Sequence, residues 1–136
     1  MHGMSIRERI APFEPFILEA SEKYHVRPQL IKAIISVESS GNPNAQAGTT
    51  SARGLMQITR AAAQDMGVAY DNLFDPRTNI LCGTEYLSKL IHRNRDDERI
   101  GVMAYYAGHG TINDGKITRL DIEARQYAEK VYSVLV

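Results

Sequence analysis

The 136-residue chain has no tryptophan, a single cysteine and no charge of one sign in excess. It also lacks any run approaching the ~18 apolar residues that a membrane span needs. Each absence excludes something. One cysteine, Cys82, rules out an internal disulfide. His2, His25, His92 and His109 show no paired ligand spacing, so no metal site is expected, and no cofactor is implied. Lys plus Arg equals Asp plus Glu at 16 each, which leaves no basic excess to mark a nucleic-acid partner. That balance suits a largely uncharged ligand such as a sugar polymer. Strand alternation is missing too, apart from room for a small hairpin over Gly48–Arg53. There is no internal repeat, low-complexity tract or linker, so residues 1–136 read as one domain, with a monomer as the default.

What is present is helical punctuation around ordinary core material, 43% apolar and 24% charged. A first helix is expected over Ile6–Tyr24, with Pro12 and Pro15 interrupting or delaying it. Pro28 suits a first helical position, and the helix it opens stops before Gly41. Thr59 suits the cap of a short helix through Met66, closed by Gly67. Asp75-Pro76 opens a long helix with Ile80, Leu81, Thr84, Leu87, Leu90 and Ile91 at helical spacing. "DDERIGVMAYYAG" is a further helix, ending at Gly108. "RLDIEARQYAEKVYSVL" is the last, with Ile122, Tyr127, Val131 and Val134 expected toward the core. The sum is an all-α bundle of about six helices with two long loops, Gly41–Arg53 and Gly108–Thr118, of the length that usually carries function. "MHGM" at Met1–Met4 reads as an expression remnant. No apolar signal core follows it, so any native export signal is expected to have been removed or supplied by a larger assembly.

One position breaks the helical pattern. In "IKAIISVESSGNP" the stripe Ile31, Ile34, Ile35 continues onto Glu38. A carboxylate there is desolvated by its apolar neighbours and sits in the last helical turn, where the dipole disfavours negative charge. Both effects raise its pKa, and a carboxyl protonated near neutrality is what a general acid requires. The plain alternative is a helix-end Glu in water. Three other stretches gather around it. In "SARGLMQIT", Gln57 is polar among Leu55, Met56 and Ile58, placed to hydrogen-bond a substrate while Met56 packs on a sugar face or fills the core. In "MAYYAGHG", Tyr105 and Tyr106 put amphipathic rings at a helix end. His109, flanked by glycines, reads as a loop residue. Tyr127 in "EARQYAEKV" faces the core by periodicity. Cys82 reads as a buried structural thiol.

Together these stretches resemble the lytic transglycosylases of the SLT-like family 1, which have a goose-type lysozyme fold. The resemblance runs in family order from about Pro28 to Val131: "VESSGNPNA", "SARGLMQIT", "DPRTNILCGTEYLSKLI", "AYYAGHG" and "EARQYAEKVY". It implies a compact lysozyme-like bundle with a substrate cleft. Glu38 would be the catalytic acid/base, and Ser39 would orient it or the substrate. Met56 and Gln57 would be subsite contacts, Tyr105 the tyrosine beside the carboxyl and Tyr127 the last active-site tyrosine. Tyr106 departs from the pattern, which usually has Asn there, so contacts in the cleft must differ.

The implied activity is cleavage of the MurNAc-β-1,4-GlcNAc bond of peptidoglycan with formation of 1,6-anhydro-MurNAc ends. Peptidoglycan glycan strands are the implied partner and the bacterial periplasm or cell envelope the implied place. A secretion, conjugation, pilus or phage-tail assembly is the kind of machine such a domain serves. Two alternatives stand beside it. A goose-type lysozyme would deliver water with a second carboxylate, for which Asp71, Asp75 and Asp114 are candidates by position. A non-catalytic peptidoglycan-binding or assembly module would fit the change at Tyr106.

Overall fold

A computed structural model describes residues 3–108 and 119–135. Among these, seven α-helices run α1 (Ile6–Ile10), α2 (Glu14–Tyr24), α3 (Pro28–Ser39), α4 (Arg60–Asp65), α5 (Pro76–Arg93), α6 (Glu98–Ala107) and α7 (Arg119–Ser133). The all-α expectation holds. The first expected helix is two, because Pro12 sits in a 3₁₀ turn, Ala11–Phe13, and Pro15 opens α2. The caps fall where the side chains can make them. Thr59 accepts from the Ala62 N–H, Asp75 from the Thr78 N–H and Asp97 from the Ile100 N–H, each filling an orphan donor of a first turn. No helix among the described residues is long and apolar enough to cross a membrane.

Helix α5 is the central element, packed on α2 and α6. Helix α6 packs on α7, and α7 reaches back to α3. Ile31, Ile34 and Ile35 of α3 meet Ile80, Leu87 and Leu90 of α5 and Val131 of α7 in one fully buried cluster. Two core expectations in the last segment fail, Ile122 on α7 and Val134 just past its end. Ile122 is 47% exposed and Val134 42%. The buried face runs instead through Ala124, Tyr127, Ala128 and Val131, an i, i+3, i+4, i+7 series that leaves Ile122 off the stripe.

The segment between α3 and α4 is irregular but tied down. The hairpin expected over Gly48–Arg53 does not form. Arg53 instead makes isolated antiparallel bridges, to Gln46 on one side and Ile58 on the other. Arg53 and Ile58 exchange both backbone hydrogen bonds at 3.0 Å, closing a tight turn over "RGLMQI". Gly54, at φ +78, supplies the left-handed step. Asn79 of α5, fully buried, holds this turn from below. Its Oδ1 accepts from the Met56 N–H at 2.8 Å, and its Nδ2 donates to the carbonyls of Arg53 and Leu73 at 2.9 and 2.8 Å. The turn rests on α5 at Gly83, where any Cβ would lie 2.6 Å from the Met56 sulfur. The second long loop, with His109 and Asp114, lies outside the described residues.

Candidate active site

Glu38 occupies the last turn of α3 and is half-buried. The helix ends immediately after it. Ser40 takes the left-handed conformation, and Gly41 follows at φ +82 with α1 packed against it. The Ser39 hydroxyl is committed to this ending. It donates to the Ile35 carbonyl at 3.1 Å and accepts from the Gly41 N–H at 3.2 Å. It therefore shapes the chain that leaves Glu38 and makes no contact with the carboxyl itself.

The group that does touch Glu38 comes from 89 residues further along. The Tyr127 hydroxyl on α7 donates to Glu38 Oε2 at 2.8 Å. Burial removes water from the charged form and pushes the carboxyl up from 4.5 to about 7, while the Tyr127 hydrogen bond pulls part of the way back. No carboxylate among the described residues contributes to that shift. Tyr127 is itself pushed well above its ordinary value, by burial first and then by the nearby Glu38 charge. It remains a phenol, and so a donor, at every working pH.

Tyr105, the residue expected beside the carboxyl, is buried and near enough for the Glu38 charge to add to the burial that raises its pKa, but its hydroxyl is bonded elsewhere. Its hydroxyl donates to the Met56 carbonyl at 2.6 Å, and its ring lies 5.6 Å from that of Tyr86. It fastens the Arg53–Ile58 turn to α6, so the hydroxyl that reaches Glu38 is that of Tyr127. Met56 is fully buried, with its sulfur near the Thr84 hydroxyl at 3.9 Å. Its side chain offers no surface to a sugar, and the gap-filling reading is the one the structure supports. Gln57 adopts φ +50, uncommon for a residue with a side chain. Its Nε2 donates to the carbonyls of Ala45 and Gly54, both at 3.0 Å, which ties the loop after Glu38 to the turn. Among the described residues nothing donates to its Oε1, the atom left to face a ligand.

Tyr106 is 43% exposed at the end of α6. Its ring lies 5.2 Å from that of Tyr127, and its hydroxyl donates to Glu123 Oε2 at 3.1 Å. The structure thus gathers Glu38, Tyr127, Tyr106 and Glu123 on one side of the α3–α6–α7 contact. Sequence reasoning missed Glu123 and Asn79. Glu123 had a signal, lying four residues before Tyr127 on the same helical face. Asn79 had one too, a polar residue on the buried stripe of α5 with Gly83 and Tyr86.

Of the second-carboxylate candidates, Asp75 is spent on its cap, with its pKa lowered by the Thr78 hydrogen bonds. Asp71 is 96% exposed and pairs with Arg53 at 3.8 Å. Asp114 lies outside the described residues. No group of three or more His, Cys, Asp or Glu able to hold a metal occurs among the described residues. Cys82 is buried, and desolvation pushes its thiol up to about 11, so it is inert at neutral pH.

This arrangement of helices is the lysozyme-like all-α fold of the SLT type. It overlays the lytic transglycosylase Slt of Pseudomonas aeruginosa, solved as an inactive mutant, with a TM-score of 0.73 at 23% identity. The overlay covers 90% of this chain and 23% of that one. The transglycosylase SLT domain family matches residues 15–127, and the chain belongs to that family. Among its relatives, a membrane-bound lytic murein transglycosylase F of Desulfosudis oleivorans is 37% identical over 117 residues, 82% of this chain and 25% of that protein. The transglycosylase of Enterobacteria phage PRD1 is 36% identical over 100 residues, 74% of this chain and 36% of the relative. A membrane-bound lytic murein transglycosylase E of Buchnera aphidicola is 34% identical over 120 residues, 78% of this chain and 54% of the relative. The chain therefore spans a quarter to about half the length of these relatives.

Proposed function

We propose that this domain is a peptidoglycan lytic transglycosylase that cleaves the MurNAc-β-1,4-GlcNAc bond with Glu38 as its single acid and base. One observation carries the reading. Glu38 is a half-buried carboxyl with a pKa of about 7, held by one phenol, with no second carboxylate among the described residues in its shift. A hydrolase of the usual kind needs a pair of carboxylates, roughly 5 Å or 6.5–9.5 Å apart.

In the proposed reaction Glu38 first gives its proton to the glycosidic oxygen, and the C1–O bond of MurNAc breaks. The substrate's own N-acetyl oxygen stabilises the charge that develops at C1. Glu38, now ionised, takes the proton of the C6 hydroxyl, and O6 closes onto C1. The products are a GlcNAc with a free C4 hydroxyl and a 1,6-anhydro-MurNAc end, and Glu38 is again protonated. A pKa near the working pH serves both halves. Tyr127 stabilises the ionised intermediate state and fixes the oxygen that moves the proton. Gln57 Oε1 is placed to accept from a substrate amide or hydroxyl.

Named relatives that are membrane-bound murein transglycosylases support action in the bacterial envelope. A phage transglycosylase among them supports service to an assembly that must open the wall, of the secretion, conjugation, pilus or phage-tail kind. The test is mass spectrometry of purified glycan strands after treatment with the wild type and with Glu38→Gln. Anhydro ends formed by the wild type alone are expected. Reducing ends would turn the reading to a lysozyme-type hydrolase, and cleavage retained by the variant would remove Glu38 from its role.

A further inference from the structure

Tyr106 stands where the family pattern has Asn, and its surroundings give that change a use. The ring sits at the end of α6 with one face backed by Tyr127, centroids 5.2 Å apart and planes 34° from parallel. The same Tyr127 carries the hydrogen bond to Glu38. At its far edge the Tyr106 phenol donates to Glu123, which holds the phenol's pKa above its ordinary value, with smaller contributions from desolvation and the charges of Glu123 and Glu38. Glu123 and Tyr127 lie four residues apart on α7, so one helical face supplies both the backing and the tether. The ring is therefore pinned at its tip, packed against Tyr127 and 43% exposed, one ring away from the proton-donating carboxyl. A tyrosine held this way offers a rigid apolar surface at little further cost in conformational entropy. A pyranose ring has a flat face of C–H groups that matches such a surface. An asparagine offers hydrogen bonds there but little area.

We propose that Tyr106 is a specificity-determining contact of this site: its exposed ring stacks on the N-acetylhexosamine next to the bond that Glu38 addresses. Glu123 is the positioning residue that fixes the ring. The assignment rests on the reading of Glu38 as the acid/base, and it adds a stacking surface that an asparagine side chain lacks the area to provide.

Binding and turnover are tested separately. In Glu38→Gln protein, the affinity for peptide-free glycan strands is measured by calorimetry, and thermal melts confirm that each variant is folded. Tyr106→Phe keeps the platform but loses the Glu123 tether, and should weaken binding about two- to threefold. Tyr106→Ala and Tyr106→Asn should each weaken binding about tenfold, the scale of one lost stacking contact. Glu123→Ala, which removes the acceptor, should weaken it by about the same two- to threefold. In the catalytic chain the same changes should raise KM while kcat stands, the pattern of a contact equal in ground and transition states. Tyr106→Ala binding as tightly as the parent overturns the proposal. So does Tyr106→Phe losing as much as Tyr106→Ala, or a fall in kcat with KM unchanged, which would make Tyr106 only a cover for Tyr127. If strands bind through Tyr106 yet the wild type leaves them uncut, the proposed activity fails and this subsite stands.

Discussion

Replacing Glu38 with glutamine should stabilise the folded chain at pH 8 and leave it almost unchanged at pH 4. The carboxyl is raised from 4.5 to about 7, chiefly by burial. A group whose folded pKa lies above its unfolded one keeps its proton more tightly in the folded state. The folded state is then progressively penalised as pH rises through the window from 4.5 to 7. A gap of about 2.5 at ~1.36 kcal/mol per pKa unit is a penalty of ~3.4 kcal/mol, complete above pH 7 and absent well below 4.5. Because part of Glu38 is open to solvent, ~2–3 kcal/mol is the working figure. Glutamine keeps the shape, never ionises, and its side-chain carbonyl still accepts the Tyr127 hydroxyl. The advantage of Glu38→Gln over wild type should therefore grow from under ~0.5 kcal/mol at pH 4 to ~2–3 kcal/mol at pH 8. In thermal melts that is a gain of roughly 6–12 °C at pH 8. Urea unfolding followed by far-ultraviolet circular dichroism at pH 4, 6 and 8 reads it directly, and every other titrating group cancels between the two proteins. A difference that stays flat with pH, or one that favours the wild type as pH rises, refutes the reasoning that burial keeps Glu38 protonated.

Tyr127→Phe removes the one hydrogen bond, among the described residues, that favours the ionised form of Glu38. The pKa should rise further, and the alkaline limb of the pH–rate profile should move up with it, with about a tenfold loss in kcat. A profile that does not move would detach Tyr127 from the carboxyl. Asn79→Ala should cost ~2–5 kcal/mol by chemical denaturation, because it strands the Met56 N–H and the Leu73 carbonyl away from water and leaves the Arg53 carbonyl with the Ile58 N–H alone. A loss below ~1 kcal/mol would show that the Arg53–Ile58 turn holds without it.

Several site residues were legible because their evidence is local. Glu38 stands out by falling on the isoleucine stripe of α3. The caps at Thr59 and Asp75 follow from side chains that reach three residues along their own chain. Which of Tyr105 and Tyr127 bonds Glu38 was not legible. Periodicity says that both rings face inward, but which hydroxyl reaches Glu38 depends on how α6 and α7 are set against α3. Met56 was open for the same reason: a methionine beside a polar glutamine suits a cleft floor or a core equally well until Gly83 of α5 is seen to lie against it. Ile122 was misplaced because an apolar residue at a helix start fits two stripes, and only the packing of α7 on α3 and α6 selects one.

The chain by itself determined its helices, their ends and the presence of one misplaced acid, since these depend on spacings of three and four residues and on side chains bonding their own backbone. Tertiary structure decided what that acid can do. Its raised proton affinity comes from apolar side chains gathered around it and from a phenol 89 residues away. Desolvation and hydrogen bonding act over a few ångströms of space, and distance along the chain carries no record of them.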